Sequence, residues 1–326
     1  MRAIVITKPG GPEVLQLQET EAPEPAAGQI LVRVAATAIN RADLLQRAGR
    51  YPAPHGWPAD IPGLEYAGTV VSAGDGVTAF RPADRVMGLV GGGAYAEFVA
   101  VHQDEAMRVP ATLTLQQAAA IPEAFITAHD ALISQAGLSR NETVLIHAAG
   151  SGVGTAAVQI AKAVGATTIG TSRSAWKLDR AVDLGLDAAV LAGEQDFVAE
   201  VGRLTGGRGA DVVLDLVGGD YLPGNIECLA VHGRIIIVGL VAGATAELDM
   251  RALMRKRASI RGTVLRSRLP AEKAEVTRAF ATFALPHLES GRLRPIIDST
   301  LPLEQAGAAH ERMQEGSCFG KIVLEM

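Results

Sequence analysis

The chain has 326 residues, 48% of them hydrophobic and 20% charged, with a net charge of -5. That length holds two domains and a large core, the charge balance gives no reason to expect nucleic acid as a partner, and no run approaches the roughly 18 apolar residues of a membrane span. Two cysteines, Cys228 and Cys318, offer neither a disulfide framework nor a CxxC metal knuckle, which suits a reducing cytosol and predicts a cytoplasmic location.

The first part reads as β-rich. Residues 1–8 alternate like a strand, with too short an apolar run for a signal peptide. Residues 30–36 follow Pro23, Pro25 and Gly28 as a strand after a loop. Residues 68–74 form a short strand between glycines, and residues 95–101 alternate with period two after a triple glycine. Many short strands with Gly/Pro turns predict a barrel or sandwich. From about Leu115 helical segments alternate with apolar runs at 143–147, 167–171, 188–191, 212–217, 234–238 and 259–264. This alternation predicts a parallel, doubly wound sheet. The last part holds a helical piece at 271–284 and a terminal strand at 320–326. Six cations at 253–268 read as a solvated face or an interface rim.

Residues 144–154 (VLIHAAGSGVG) carry the clearest chemistry. A short apolar run ends in a glycine-dense turn, and an apolar helix pattern follows at once. Small residues let a backbone approach a dinucleotide pyrophosphate, and a helix N-terminus supplies free N–H groups and partial positive charge. Gly150, Ser151, Gly152, Val153 and Gly154 are therefore cofactor candidates. Thr155 stands where a strict GxGxxG has its last glycine. His147 ends the strand and is read as packed there.

The second strand of such a unit ends about 20 residues further on, where NAD enzymes place an acid for the ribose 2′-hydroxyl. No acid lies between Gly154 and Asp179. Ser172, Arg173, Ser174 and Lys177 stand there instead, and hydroxyls with cations suit a 2′-phosphate. NADPH is expected as cofactor rather than NADH. Later apolar runs ending in glycine add Val217, Gly239 and Leu240 as cofactor contacts. The seven histidines are scattered, with no HxxxH and no pairing with cysteine, so no zinc site is read. Asn40, Arg41, Asp43 and Tyr51 form a polar cluster after the strand at 30–36.

Residues 40–47 (NRADLLQR), 62–68 (PGLEYAG), 118–128 (AAAIPEAFITA) and 147–154 (HAAGSGVG) together resemble the zinc-free, ζ-crystallin-like quinone oxidoreductases of the medium-chain dehydrogenase/reductase superfamily. Within that family the chain resembles the tumour-suppressor-inducible branch, which is similar also at 263–268 and 320–324. The resemblance covers the whole chain.

It implies an α/β fold in which a Rossmann doubly wound parallel sheet is inserted into a GroES-like β-barrel catalytic domain. The expected domains are 1–122, 123–262 and a C-terminal return, 263–326. Zinc-dependent relatives bear ligands in the segments holding Asn40, Leu64 and Glu123, but the cysteine and histidine of the first two are absent here. The resemblance thus implies a metal-independent enzyme. It places Asn40 and Tyr51 at the substrate, as donors to a developing oxyanion, with Ser151 near the nicotinamide. Gly320 and Lys321 join the cofactor set. Relatives often have glycine where Arg173 stands, and a phosphate-holding tyrosine is matched by Ala192, so Arg173 is expected to take over that role. The implied activity is NADPH-dependent reduction of quinones by hydride or electron transfer. The alternatives are an enone or alkenal double-bond reductase and, more distantly, an NADPH-binding structural or RNA-binding protein. A homodimer is implied, with the strand at 259–264 as its edge.

Overall fold

The computed structural model describes all 326 residues, Met1–Met326. They form two units, Met1–Ile126 with Leu265–Met326, and Thr127–Val264. No helix is long and apolar enough to cross a membrane.

The first unit is built on a seven-stranded sheet. Its order is Ile297–Pro302, Lys321–Glu325, Gln29–Ala38, Glu65–Ala73, Arg85–Leu89 and Ala106–Arg108, with Phe98–His102 also paired to Gln29–Ala38. All pairings are antiparallel except that of the first two strands. Period-two patterning decides which face is buried. Ile30, Val32 and Val34 point into a core shared with Tyr66, Val70, Val86 and Val99, while Arg33 lies on the opposite, exposed face. Each such aliphatic side chain contributes about 1.5–3 kcal/mol by burial. The ladder slips between Val34 and Ala36 opposite Gly68, where a Cβ would run into the Arg33 carbonyl. Bulges of this kind bend a strand, and this one precedes the strand end that leads to Asn40.

The second unit holds six parallel strands in the order Ala188–Leu191, Thr167–Ser172, Thr143–Ile146, Ala210–Asp215, Leu229–Ile237, Ser259–Gly262. Counted along the chain, that order is 3-2-1-4-5-6, the doubly wound arrangement the alternating pattern predicts. Five helices connect the strands: Gly152–Val164, Ala175–Val182, Phe197–Leu204, Tyr221–Glu227 and Met250–Lys256. Every residue of Thr143–Ile146 is buried, which explains its unbroken apolar run.

Two expectations need correction, and one helix has no clear sequence signal. The run at 212–217 is a strand only as far as Asp215, whose carboxylate turns the chain by accepting from the N–H groups of Val217 and Gly218. The helix Tyr221–Glu227 contains Pro223 and Gly224, which argue against a helix in the sequence; a Cβ at Gly224 would meet the Phe197 ring. The basic run is not simply a solvated face. Lys256 donates to the carbonyls of Glu227 and Leu229, Arg261 donates to that of Gln135, and Arg266 is only 5% exposed.

Candidate functional site

In the second unit the glycine turn is organised by Ser151. This residue N-caps the helix Gly152–Val164, its hydroxyl accepting from the Gly154 N–H at 3.0 Å. Thr155 N donates to the Ser151 carbonyl. The N–H groups of Gly152 and Val153 open the helix without an intrahelical acceptor. Gly154 is required by packing, because a Cβ would run into the backbone of Ala148 and Ala149. Thr155 fits in place of the strict glycine because its hydroxyl turns back to the Gly152 carbonyl at 2.9 Å.

At the end of the second parallel strand, the Ser172 hydroxyl accepts from Ser174 N at 3.2 Å. Arg173 is exposed between them, and Lys177 lies with its ammonium 5.4 Å from the Trp176 ring centroid. Ala192 N donates to the Ser172 carbonyl at 2.8 Å, which sets Ala192 beside this hydroxyl-and-cation group. Val217, Gly239 and Leu240 also come together. Ala242 N donates to the Val217 carbonyl, Gly239 N donates to the Asp215 carbonyl, and Leu240 is 55% exposed. Gly218, Gly219, Leu240 and Gly243 line a cleft at these strand ends.

The first unit holds a different cluster. Asn40 precedes the helix Arg41–Arg47, and its backbone N–H donates to Asp43 at 2.8 Å. Its amide nitrogen donates to Glu65 Oε1 at 2.8 Å and to the Ala38 carbonyl at 3.1 Å. Its amide oxygen accepts from Lys321 Nζ at 2.5 Å. Both amide hydrogens are thus committed, which corrects the expected role of Asn40 as a donor to substrate. Lys321 also donates to the Ile39 carbonyl at 2.7 Å and pairs with Glu65 at 2.8 Å. Three partners use all three ammonium hydrogens, so Lys321 has none left for a phosphate. Gly320 serves the backbone: its φ is +86°, and a Cβ would strike the Ile296 carbonyl. Asn40, Tyr51, Gly320 and Lys321 belong to the first unit, and the other predicted site residues to the second.

Glu65 is fully buried, and its second oxygen accepts from Glu123 N at 2.8 Å. The Glu123 side chain is partly accessible. Burial, reinforced by the Glu65 carboxylate, pushes its carboxyl up to about 8, with Lys321 pulling down, Asp43 pushing up and Arg266 pulling down. Glu123 therefore keeps its proton at neutral pH. Burial also pushes Asp43 up to about 6, opposed by the Asn40 N–H, Lys321, the Tyr95 hydroxyl and Arg266. Tyr51 lies under the Arg266 guanidinium, 5.1 Å from its ring centroid. Burial raises its phenol, with Arg266 pulling the other way. Arg266 is held by the carbonyls of Gly91 at 2.8 Å and Tyr51 at 3.0 Å and by Gln46 at 2.5 Å.

The sequence pattern missed Arg266, hidden in a charge run, and Glu65, which has no periodic signal. Asp43, already part of the polar cluster after the strand at 30–36, has the helix-start spacing from Asn40 that matches its bond to the Asn40 N–H. Nowhere do three His, Cys, Asp or Glu side chains form a group able to hold a metal ion.

Residues 26–111 match the alcohol dehydrogenase GroES-like domain family, and residues 152–282 match the zinc-binding dehydrogenase family. A quinone oxidoreductase of Rattus norvegicus is 34% identical over 99% of this chain and 97% of its own. A solved Escherichia coli quinone oxidoreductase complexed with NADPH covers all of both chains at 30% identity and a TM-score of 0.91. A solved NAD-dependent alcohol dehydrogenase covers all of both chains at 35% identity and a TM-score of 0.88.

Proposed function

Because the chain belongs to the quinone oxidoreductase family of the medium-chain dehydrogenase/reductase superfamily, we propose that it is an NADPH:quinone oxidoreductase that works without a metal ion. Kinship makes the protein an oxidoreductase. Donor, acceptor and metal independence rest on further observations.

The observation that carries the reading is the acid-free end of the second parallel strand. Ser172, Arg173, Ser174 and Lys177 gather hydroxyls and cations there, and Asp179 is the first acid after Gly154. A 2′-phosphate is attracted by such a group and repelled by a carboxylate. Kinship alone does not choose the cofactor, since one solved relative is NAD-dependent and another is complexed with NADPH. The turn fits a dinucleotide, because it is kept narrow by Gly154 and opened by the N–H groups of Gly152 and Val153. Ser151, Val217, Gly239 and Leu240 complete the proposed cradle.

A zinc ion does not suit the first unit. Leu64 offers no donor, the Asn40 amide is engaged at both ends, and the Lys321 ammonium beside it repels a second cation. When bound, the nicotinamide supplies a hydride or electrons to the acceptor. Tyr51 then donates a hydrogen bond to the carbonyl oxygen on which negative charge grows. Its phenol holds its proton at neutral pH as an ordinary phenol does, and burial raises it further. Asn40 acts behind it by holding Lys321 against Glu65. The cofactor residues Gly320 and Lys321 are reassigned on this reading to supporting that cluster. The domain division 1–122, 123–262 and 263–326, a cytoplasmic location and a homodimer across Ser259–Gly262, the last strand of its sheet, belong to the same proposal.

Oxidation of NADPH and of NADH, measured with quinones of increasing size and with simple enones, before and after dialysis against a chelator, tests it. NADPH preference, quinone turnover and indifference to the chelator are expected. Faster enone reduction makes the protein a double-bond reductase, and loss of activity with the chelator overturns metal independence.

A further inference from the structure

Four buried side chains join the ends of three strands in the second unit. Thr171 is 1% exposed, and His147, Asn225 and Asp215 are fully buried. Asp215 Oδ1 accepts from Val217 N and Gly218 N, each at 2.8 Å, and Oδ2 accepts from Asn225 Nδ2 at 3.0 Å. Asn225 Oδ1 lies 2.6 Å from His147 Nε2, and His147 Nδ1 lies 2.9 Å from Thr171 Oγ1.

A carboxylate only accepts, so Asp215 fixes the direction of every other bond. The Asn225 amide must turn its nitrogen to Asp215 and its oxygen to His147. His147 Nε2 must then carry the hydrogen, and because burial holds the ring below the usual histidine range, and so neutral, Nδ1 accepts from the Thr171 hydroxyl. The rings of Phe197 and Tyr221 close on His147 edge-on, with centroids 5.1 and 4.9 Å away. Backbone bonds run beside this chain: His147 N donates to the Leu214 carbonyl and Ala149 N to that of Thr171.

The location gives the relay its meaning. His147 and Asp215 follow or end the first and fourth strands, between which the sheet order reverses, and ligands of doubly wound sheets bind outside the strand ends at that point. The loop after Asp215 contains Gly218 and Gly219, both with positive φ (69° and 56°). Such a backbone is weakly restrained once its hydrogen bonds are lost, and ordering it on binding costs affinity.

We propose that the Thr171–His147–Asn225–Asp215 relay locks the loops at 148–150 and 216–219 in their binding geometry, which makes His147, Asn225 and Asp215 positioning residues for the dinucleotide. This rests on the cofactor reading above.

Exchanging the relay's polar groups tests it. Asp215→Asn sets two amide nitrogens face to face unless the Asn225 amide, the His147 tautomer and the Thr171 hydroxyl all reverse, and Asn225→Asp sets two carboxylates face to face. The double variant Asp215→Asn/Asn225→Asp restores a donor opposite an acceptor at every step. Each single variant is expected to raise the NADPH dissociation constant about tenfold, the cost of a buried polar group without its partner, and to raise KM for NADPH more than it lowers kcat. The double variant is expected to recover most of the loss. Amide hydrogen exchange at Val217 and Gly218 should quicken in the singles and slow again in the double. In the parent, ¹⁵N spectra should show His147 as the neutral Nε2–H tautomer. Should the single variants misfold, the double variant and the parent's tautomer and exchange rates still decide. Single variants that bind as the parent does, a double variant no better than the singles, or an Nδ1–H tautomer each overturn the inference. A parent that binds no NADPH overturns the cofactor reading, and loop locking is then judged on exchange alone.

Discussion

The Arg266 guanidinium lies over the ring of Tyr51 and donates to that residue's own carbonyl oxygen at 3.0 Å. A cation on a ring face holds the phenol in one orientation and opposes the rise that burial causes in its pKa. If this phenol meets the acceptor oxygen, Tyr51→Phe lowers kcat for quinone reduction about 100-fold, the usual cost of removing one preorganised donor. The ring and its cation remain, so the melting temperature stays within a few degrees. Turnover within twofold of the parent, measured at saturating NADPH, removes Tyr51 from the chemistry.

Lys321 and Glu65 form a buried pair, with side chains 4% and 0% exposed. Lys321→Met leaves the Glu65 carboxylate without its cation and is expected to cost about 3–5 kcal/mol in urea unfolding. Adding Glu65→Gln should recover part of that loss. Folded variants should bind NADPH as the parent does; weaker binding at unchanged stability would return Lys321 to the cofactor set.

Arg173 stands exposed between two serines, with no bulky side chain at Ala192, the residue whose N–H reaches the Ser172 carbonyl. Arg173→Ala should weaken NADPH binding about tenfold, as expected for one charge-assisted contact, and leave NADH binding unchanged. Titration by nicotinamide fluorescence separates the two. An unaltered preference would show that Ser172, Ser174 and Lys177 suffice.

Glu123 binds its proton more tightly in the folded chain, its carboxyl moving from 4.5 to about 8 through burial and the neighbouring Glu65. Its stabilising contribution is full below pH 4.5 and is lost as pH rises through 8. Asp43 loses its contribution between 3.8 and about 6. Buried His129 and His310, lowered from 6.5 to about 4 and about 3, act in the opposite sense and lose theirs as pH falls below 6.5. From pH 6.5 to 8 Glu123 acts alone among these four, so the urea midpoint should fall as pH rises. Glu123→Gln should flatten that slope. A parent midpoint that is level across this range would mean that Glu123 is already ionised.

Much of the second unit was legible because parallel strands buried on both faces leave unbroken apolar runs, and Gly150–Gly154 marks the turn between strand and helix. The first unit was legible where one face is solvated, as in the alternation of Ile30, Val32 and Val34. What stayed hidden depends on residues far apart in sequence. Nothing near Lys321 announces that its partners are Asn40 and Glu65. Nor does the charge run around Arg266 distinguish the one cation that is buried. His147 could be placed at a strand end, but its bond to Asn225 crosses to a helix interrupted by Pro223 and Gly224, whose pattern argues against a helix.

Asn40 and Lys321 are 281 residues apart in the chain, yet they share a hydrogen bond within the first unit. During synthesis the Asn40 segment therefore waits until the whole second unit has been made. The second unit, Thr127–Val264, is continuous and can close on itself as it emerges. The order of manufacture thus inverts the order of the sequence: the half begun first is the last to be completed, and until then the Glu65 carboxylate has no counterion from Lys321.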